Sequence, residues 1–319
     1  MKDMNRIPVI SIIGPTAVGK TQLSLSIARD LDAEIISVDS RQVYRYLDIG
    51  TDKASREDRR SVIHHLIDIA DPDEVFTVMD FIEKTKAAAE RIVRRGKKVL
   101  FVGGTPFYYK SLFDGTIHSD LPTDPEVRSI IEERLHKTGK NELFNELSRV
   151  DPVTASRLHP NDTRRVVRSL EIFELTGRIA SWWYEKENQP SSLFNNLYIG
   201  LERPRSQLYE RISQRVREQF NKGYVEEVKW LLDNSFKEDS PSLQGFGYRE
   251  IVSYLKGNIS FEEAILSDIK ATKTFSRRQM TWFRKFYPIM WYDTSVIPPG
   301  DLHDQVISMC KAHYEEASA

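Results

Sequence analysis

Cysteine is nearly absent from this chain of 319 residues, in which Cys310 is the only one. A single thiol excludes an internal disulfide and a structural zinc site built on cysteine pairs. Long apolar runs are missing as well, because the run from Ile7 to Ile13 is far shorter than the about 20 residues of a membrane helix. We therefore expect a cytoplasmic protein that does not associate with membranes.

Net charge is the third feature that the sequence lacks. The formal charge is −1 and the pI is about 6.7, so the global balance does not favour a nucleic-acid partner. Any such partner must be held by basic residues gathered locally. Hydrophobic residues make up 40% of the chain, enough for a sizeable core, and about 150 residues per domain suggests two domains.

The N-terminal part alternates between strand and helix patterns. Short, continuous apolar runs at 7–13, 34–38 and 98–102 predict buried strands. Leu23, Ile27 and Leu31 recur at helical spacing, and Asp80 with Glu83 predicts a capping box for a helix that runs to about Arg95. This alternation predicts an α/β fold with a parallel sheet.

After about residue 115 the strand patterns give way to helical ones. Residues 124–187 read as helices with breaks near 139, 152 and 160, and strands return at 196–202 and near 289–293. We therefore expect an α/β core formed by 1–115 and the mostly helical 196–319, with an all-helical insertion at 116–195.

One motif has a specific chemistry. Residues 14–21 read GPTAVGKT and match G-x-x-x-x-G-K-[ST] between a predicted strand and a predicted helix. Backbone amides of such a loop surround an anion, the lysine adds a charge, and the threonine hydroxyl can bind Mg²⁺. All eight residues are predicted to bind phosphate: Gly14, Pro15, Thr16, Ala17, Val18, Gly19, Lys20 and Thr21. The motif indicates a polyphosphate ligand without distinguishing ATP from another diphosphate.

The acidic residue that accompanies this loop follows a different strand from the one that carries it in nucleotide-hydrolysing enzymes. The strand at 98–102 ends in Gly103-Gly104-Thr105, without a carboxylate, whereas Asp39 follows the strand at 34–38. Ligands bind at this edge of an open α/β sheet, so Asp39 is a candidate general base or metal ligand. Its alternative role is to form a turn. Thr105 is either a donor to the reacting groups or a polar turn residue before Pro106.

Several further motifs resemble those of the bacterial tRNA dimethylallyltransferases, which prenylate adenine N6. The matches are GPTAVGKT at 14–21, DSRQVY at 39–44, DIGT at 48–51, HHLID at 64–68, VGGTPFYY at 102–109, HPNDTRR at 159–165, GYRE at 247–250 and RRQMTWFR at 277–284. They run in order through most of the chain. Departures occur at Asp52-Lys53-Ala54, where the family tends to have Ala-Lys-Pro, at Ile63 and at 244–246. None of these falls on a residue that we expect to be catalytic.

The resemblance implies a P-loop kinase-like core with an inserted helical domain that grips the tRNA anticodon arm. It also implies a reaction that uses dimethylallyl diphosphate, Mg²⁺ and the adenosine immediately 3′ of the anticodon. We expect a monomer in which Lys20, Asp39 and Thr105 are catalytic. By the resemblance, Asp39, Ser40, Arg41, Gln42, Thr105 and Arg128 contact tRNA, and an arginine of 211–217 reaches the diphosphate, with Arg215 favoured.

Two segments are locally basic and are candidates for binding tRNA phosphates. Residues 157–178 include Arg164, Arg165 and Arg168, and residues 270–287 include Arg277 and Arg278 with no acid among them. The alternative for any charged helix face is simple solvation. His64 and His65 are adjacent, so their side chains point apart on a strand, which does not favour a shared metal site.

Two other functions compete with the prenyltransferase interpretation. A small-molecule kinase of the shikimate or adenylate kinase type explains the phosphate loop but neither the basic helices nor the missing strand-end carboxylate. A non-catalytic tRNA-binding protein with a relic phosphate loop explains the basic segments alone.

Overall fold

The computed structural model describes residues 6–114, 121–186 and 193–318. The chain divides into two compact units. One comprises Met1–Tyr109 and Ser192–Ala319, and the other comprises Lys110–Ser191. We refer to them as the core unit and the inserted unit.

The core unit contains a six-stranded sheet in the order β3-β2-β4-β1-β5-β6, with every neighbouring pair parallel. The strands are β1 (Ile7–Ile13), β2 (Ala33–Val38), β3 (His64–His65), β4 (Lys98–Gly103), β5 (Phe194–Glu202) and β6 (Ile289–Asp293). Five of them confirm the predicted strands, and so does the α/β class. The two-residue β3 was not predicted because so short a strand has no apolar pattern of its own.

The helices are α1 (Lys20–Leu31), α2 (Arg56–Ser61), α3 (Val78–Arg94), α4 (Pro106–Asp114), α5 (Pro125–Thr138), α6 (Lys140–Val150), α7 (Pro152–Ser156), α8 (Thr163–Thr176), α9 (Ala180–Lys186), α10 (Arg205–Asn221), α11 (Tyr224–Asp233), α12 (Tyr248–Leu255), α13 (Phe261–Phe283) and α14 (Pro299–Ser318). No helix of the part of the chain that the structure describes is long and apolar enough to cross a membrane.

The predicted start of α3 was wrong. Thr77, rather than Asp80, caps this helix: its hydroxyl accepts from the Asp80 N–H at 3.2 Å, and the Asp80 carboxylate accepts from the Thr77 N–H at 2.7 Å. Asp80 therefore occupies the third helical position of the capping box. The sequence fits this box at either position, and the structure selects the earlier one.

Side chains of β2 alternate between the two faces of the sheet. Glu34 bonds to Arg95, which follows α3, whereas Ile35 packs in one apolar core with residues of α1. The helices α1 and α14 therefore cover one face and α3 the other. Because all strands are parallel, the ends of β1, β2 and β4 meet at one edge, where α1 begins.

The inserted unit has a small apolar core of its own. Its members include Ile131 of α5, Leu143 and Leu147 of α6, and Val166 and Leu170 of α8. These positions repeat at helical spacing, so the helices pack through one apolar stripe each.

Candidate active site

A cavity of about 470 Å³ opens at the carboxyl edge of the sheet, within the core unit. It is formed by the phosphate loop, the ends of β2 and β4, the segment 51–54, and one face each of α10 and α13. Lining residues include Thr16, Lys20, Thr21, Ser37, Asp39, Gln42, Asp52, Gly104, Arg211, Arg215 and Gln279. The cavity therefore brings Lys20 and Asp39 together, as the sequence predicted.

The phosphate loop turns sharply into α1. Gly19 is the N-cap of this helix with φ of 109°, a backbone conformation that favours glycine. The Lys20 ammonium folds back over the loop and donates to the carbonyl oxygens of Gly14 at 3.0 Å and Pro15 at 2.8 Å. Its charge thus lies over the loop, where backbone amides at the start of a helix favour an anion.

The charge of Lys20 is finely balanced. Burial and, to a lesser extent, the neighbouring Arg215 lower the pKa of Lys20 to about 8, against the opposing effect of Asp39 and Asp52. A group with this pKa is still mostly protonated at neutral pH. An anionic ligand would stabilise the charged form more.

Gln279 of α13 joins the phosphate loop to the end of β4, a role that sequence reasoning missed. This buried side chain accepts from the Thr16 N–H at 2.9 Å and donates to the Gly104 carbonyl at 2.6 Å. A Cβ on Gly104 would overlap the Gln279 amide nitrogen, so the close approach requires glycine there. Its only signal in the sequence is its place within the RRQMTWFR motif.

Asp39 forms the turn after β2 and also lines the cavity. Its Oδ1 accepts from the N–H groups of Arg41 at 2.8 Å and Gln42 at 3.2 Å, which makes the turn after β2. Its Oδ2 has no hydrogen bond to another described residue, and Asp39 lines the cavity. The turn therefore fixes a carboxylate whose second oxygen remains available to a ligand.

The neighbours of Asp39 divide between the cavity and the scaffold. Gln42 lines the cavity and accepts from the Ser37 hydroxyl at 2.9 Å. The Thr105 hydroxyl accepts from the Ser40 N–H at 3.2 Å, which ties the turn to the end of β4. The guanidinium of Arg41 instead donates to the carbonyl oxygens of Pro241 and Ser242, so its contacts in this structure are structural.

Two arginines of α10 contact the phosphate loop. Arg215 donates to the Thr16 hydroxyl at 2.6 Å and pairs with Asp52 at 2.9 Å. Arg211, another arginine of the segment 211–217, donates to the Ala17 carbonyl at 2.9 Å. Arg217 pairs with Glu262 at 3.2 Å and does not line the described part of the cavity. Asp52 therefore touches a predicted diphosphate residue, although it departs from the family pattern.

The cavity offers an oxygen ligand that suits a magnesium ion bound together with a diphosphate. Within 6–114, 121–186 and 193–318, no group of three or more His, Cys, Asp or Glu residues is placed to hold a metal. Mg²⁺ commonly keeps several waters and uses one or two protein oxygens beside substrate phosphates. The exposed Thr21 hydroxyl fits that pattern. His64 lines the cavity while His65 bonds to Glu34 at 2.6 Å, so the two rings diverge as predicted.

Three of the arginines predicted to bind tRNA form ion pairs in the inserted unit. Arg128 and Arg168 both pair with the buried carboxylate of Glu171, at 2.8 and 2.9 Å, and Arg165 lies 3.3 Å from Asp162. Because Glu171 is buried, its charge depends on these two arginines and on the Asp124 N–H, which donates to it at 3.2 Å. Arg164 is exposed and forms no ion pair with another described residue.

The basic face of α13 lies on the surface of the core unit. Arg277 and Arg278 are both exposed and form no ion pair within the described chain. Arg277 also lines a second cavity, of about 440 Å³, together with Arg203, Arg205 and Arg284. This surface has the charge that phosphate contacts need.

Comparisons with known proteins bear on this site. The family model described as "IPP transferase" matches residues 42–286. A tRNA dimethylallyltransferase of Carboxydothermus hydrogenoformans is 42% identical over 286 residues, which cover 90% of this chain and 92% of the relative. One from Thermomicrobium roseum is 42% identical over 295 residues, covering 92% and 88% of the two chains.

Solved structures show the same architecture. A full-length tRNA isopentenylpyrophosphate transferase from Bacillus halodurans is 36% identical, covers 98% of each chain and has a TM-score of 0.74. A eukaryotic dimethylallyltransferase acting on tRNA is 27% identical, covers 97% of this chain and 80% of its own, and has a TM-score of 0.82. With the family model matching most of its length, this chain belongs to the IPP transferase family.

Proposed function

We propose that this protein transfers a dimethylallyl group from dimethylallyl diphosphate to N6 of the adenosine immediately 3′ of the anticodon in tRNA, releasing diphosphate. The observation that carries the proposal is a single cavity lined by both the phosphate loop and Asp39. The first suits a departing diphosphate, and the second suits an incoming amine. Family membership favours this pair of substrates over ATP and a small acceptor.

The difficult event is the cleavage of the C–O bond between the allyl group and diphosphate. Negative charge grows on the leaving oxygens, so donors that are already oriented stabilise the transition state more than the bound substrate. Such donors are Lys20, Arg215 and the backbone N–H groups of the phosphate loop other than that of Thr16, which Gln279 accepts. Mg²⁺, which we expect the Thr21 hydroxyl and the diphosphate to hold, would add charge stabilisation at the same oxygens.

The acceptor is an exocyclic amine, which must lose a proton as its nitrogen bonds to the allyl carbon. We assign that proton to Oδ2 of Asp39, because Oδ1 is held by the N–H groups of Arg41 and Gln42. Thr105 supports this geometry through its bond to the Ser40 N–H. Bond formation to N6 and departure of diphosphate then balance without a further reagent.

The tRNA must present its adenine outside the base stack, which costs a few kcal/mol. We assign the grip on the anticodon arm to the inserted unit, in which Arg164 is available to phosphates. On the core unit, Arg277 and Arg278 of α13 are available to tRNA phosphates. Arg128, Arg165 and Arg168 offer charge from within their ion pairs. Because its substrate is tRNA, we place the reaction in the cytoplasm.

The test uses purified protein, Mg²⁺, dimethylallyl diphosphate and an unmodified tRNA transcript with adenosine 3′ of the anticodon. Nucleoside mass spectrometry should find one N6-dimethylallyladenosine per tRNA. A matched transcript with guanosine at that position should gain nothing. If the adenosine transcript stays unmodified after incubation with all of these components, or if both transcripts are modified equally, the proposal is contradicted.

A further inference from the structure

Three consecutive backbone amides converge on one carboxylate outside the cavity. Glu227 of α11 accepts from the N–H groups of Asp48 at 2.8 Å, Ile49 at 2.7 Å and Gly50 at 3.2 Å. Successive amides that point to one anion form a concave nest. Here a side chain of the protein fills the nest, so the segment 48–50 is fixed to α11.

A fourth donor completes this contact. The Tyr248 hydroxyl donates to Oε1 of Glu227 at 2.8 Å. Burial raises the pKa of Glu227 above its ordinary value, while the amides and the hydroxyl act in the opposite direction. Because a partly buried carboxylate costs free energy unless it is bonded, four donors on one group indicate a constraint on the loop.

The constrained segment leads directly into the wall of the cavity. Thr51 and Asp52, the next two residues, both line it. The Asp52 carboxylate pairs with Arg215 at 2.9 Å, and Arg215 in turn donates to the Thr16 hydroxyl at 2.6 Å. A continuous series of contacts therefore runs from Glu227 through the segment 48–52 to the phosphate loop.

We infer that Glu227 is a positioning residue for the diphosphate site, acting through Asp52 on the orientation of Arg215. Glu227 is absent from the described lining of the cavity, so it does not act by touching the ligand. The identity of the ligand as a prenyl diphosphate rests on the proposed function. The effect of Glu227 on the Arg215 guanidinium does not rest on it, because the same effect would apply to any diphosphate bound by the loop.

The test compares Glu227→Gln with Glu226→Gln, its exposed neighbour on the same helical turn. The amide of the first variant keeps one acceptor oxygen and turns an NH₂ group toward backbone donors. We expect about tenfold weaker binding of inorganic diphosphate with Mg²⁺, measured by calorimetry, and a similar rise in KM for dimethylallyl diphosphate. Glu226→Gln should match the wild type in both measurements.

A double-mutant cycle with Arg215→Ala separates positioning from general stability. If Glu227 acts through Arg215, Glu227→Gln should change diphosphate affinity less than twofold once Arg215 is removed. An equal tenfold loss in both backgrounds would overturn the inference, as would wild-type diphosphate affinity in the single variant.

A second variant and a binding measurement that is independent of catalysis complete the test. If Glu227→Gln does not fold, Glu227→Asp enters the same cycle, because it retains the charge but withdraws it by one methylene. Calorimetry with diphosphate requires no prenyl transfer. A wild type that binds diphosphate but leaves tRNA unmodified would therefore count against the proposed function alone, and the cycle would still decide the role of Glu227.

Discussion

The protonation of Lys20 makes activity depend on pH in a direction that the structure specifies. Burial and Arg215 lower the pKa of Lys20 to about 8, so the ammonium loses its proton as the pH rises through that value. Neutral Lys20 cannot attract the leaving diphosphate. We therefore predict that kcat/KM for dimethylallyl diphosphate, which reports the free enzyme, falls above pH 8.

The size of the fall follows from the titration. With a pKa of about 8, about 91% of the free enzyme carries the Lys20 charge at pH 7 and about 9% at pH 9. The predicted loss of kcat/KM is therefore about tenfold over this range. Bound diphosphate raises the pKa of Lys20, so kcat should remain constant to a higher pH. His64, whose pKa is lowered by burial, is already neutral above pH 7 and does not contribute.

The assay measures initial rates of tRNA labelling from pH 6.5 to 10 at saturating tRNA. The control is Lys20→Arg, whose guanidinium stays protonated throughout this range. Its absolute rate should be lower because the side chain is longer, but its kcat/KM profile should be flat up to pH 9.5. A flat wild-type profile, or the same decline in Lys20→Arg, would refute the assignment of the titration to Lys20.

Three more substitutions test the remaining assignments. Asp39→Asn should lower kcat by about 10²–10⁴-fold while tRNA affinity in a filter-binding assay changes little, and a normal kcat would exclude Asp39 as the proton acceptor. Arg277→Ala combined with Arg278→Ala should make the salt dependence of tRNA binding shallower by about two phosphate contacts, and an unchanged slope would place tRNA elsewhere. Arg128→Ala should lower the stability of the protein to urea because Glu171 loses one of its two ion-pair partners, whereas unchanged stability would mean that Arg168 and the Asp124 N–H suffice.

Local features of the site could be read from the sequence. The phosphate loop is contiguous and lies between a β-branched strand and an amphipathic helix, and its glycines allow a backbone conformation that other residues rarely adopt. Asp39 follows a strand whose parallel direction brings its end to the same edge as the loop. The position of these groups therefore follows from strand direction alone.

Contacts between distant segments could not be read in this way. Gln279 bonds to Thr16 across 263 positions of sequence, and Glu227 reaches the amides of 48–50 across more than 170. An amide or a carboxylate on a helix carries no pattern that names its distant partner. The same reason explains Arg128, whose pairing with Glu171 depends on how α5 and α8 pack.

The most direct test of the central claim asks which polyphosphate substrate the enzyme consumes during turnover. Dimethylallyl diphosphate labelled in its diphosphate, γ-labelled ATP and unmodified tRNA are incubated together with the protein and Mg²⁺. We predict one diphosphate released for each allyl group gained by tRNA, with ATP unchanged. Consumption of ATP while the prenyl donor stays intact would contradict the account.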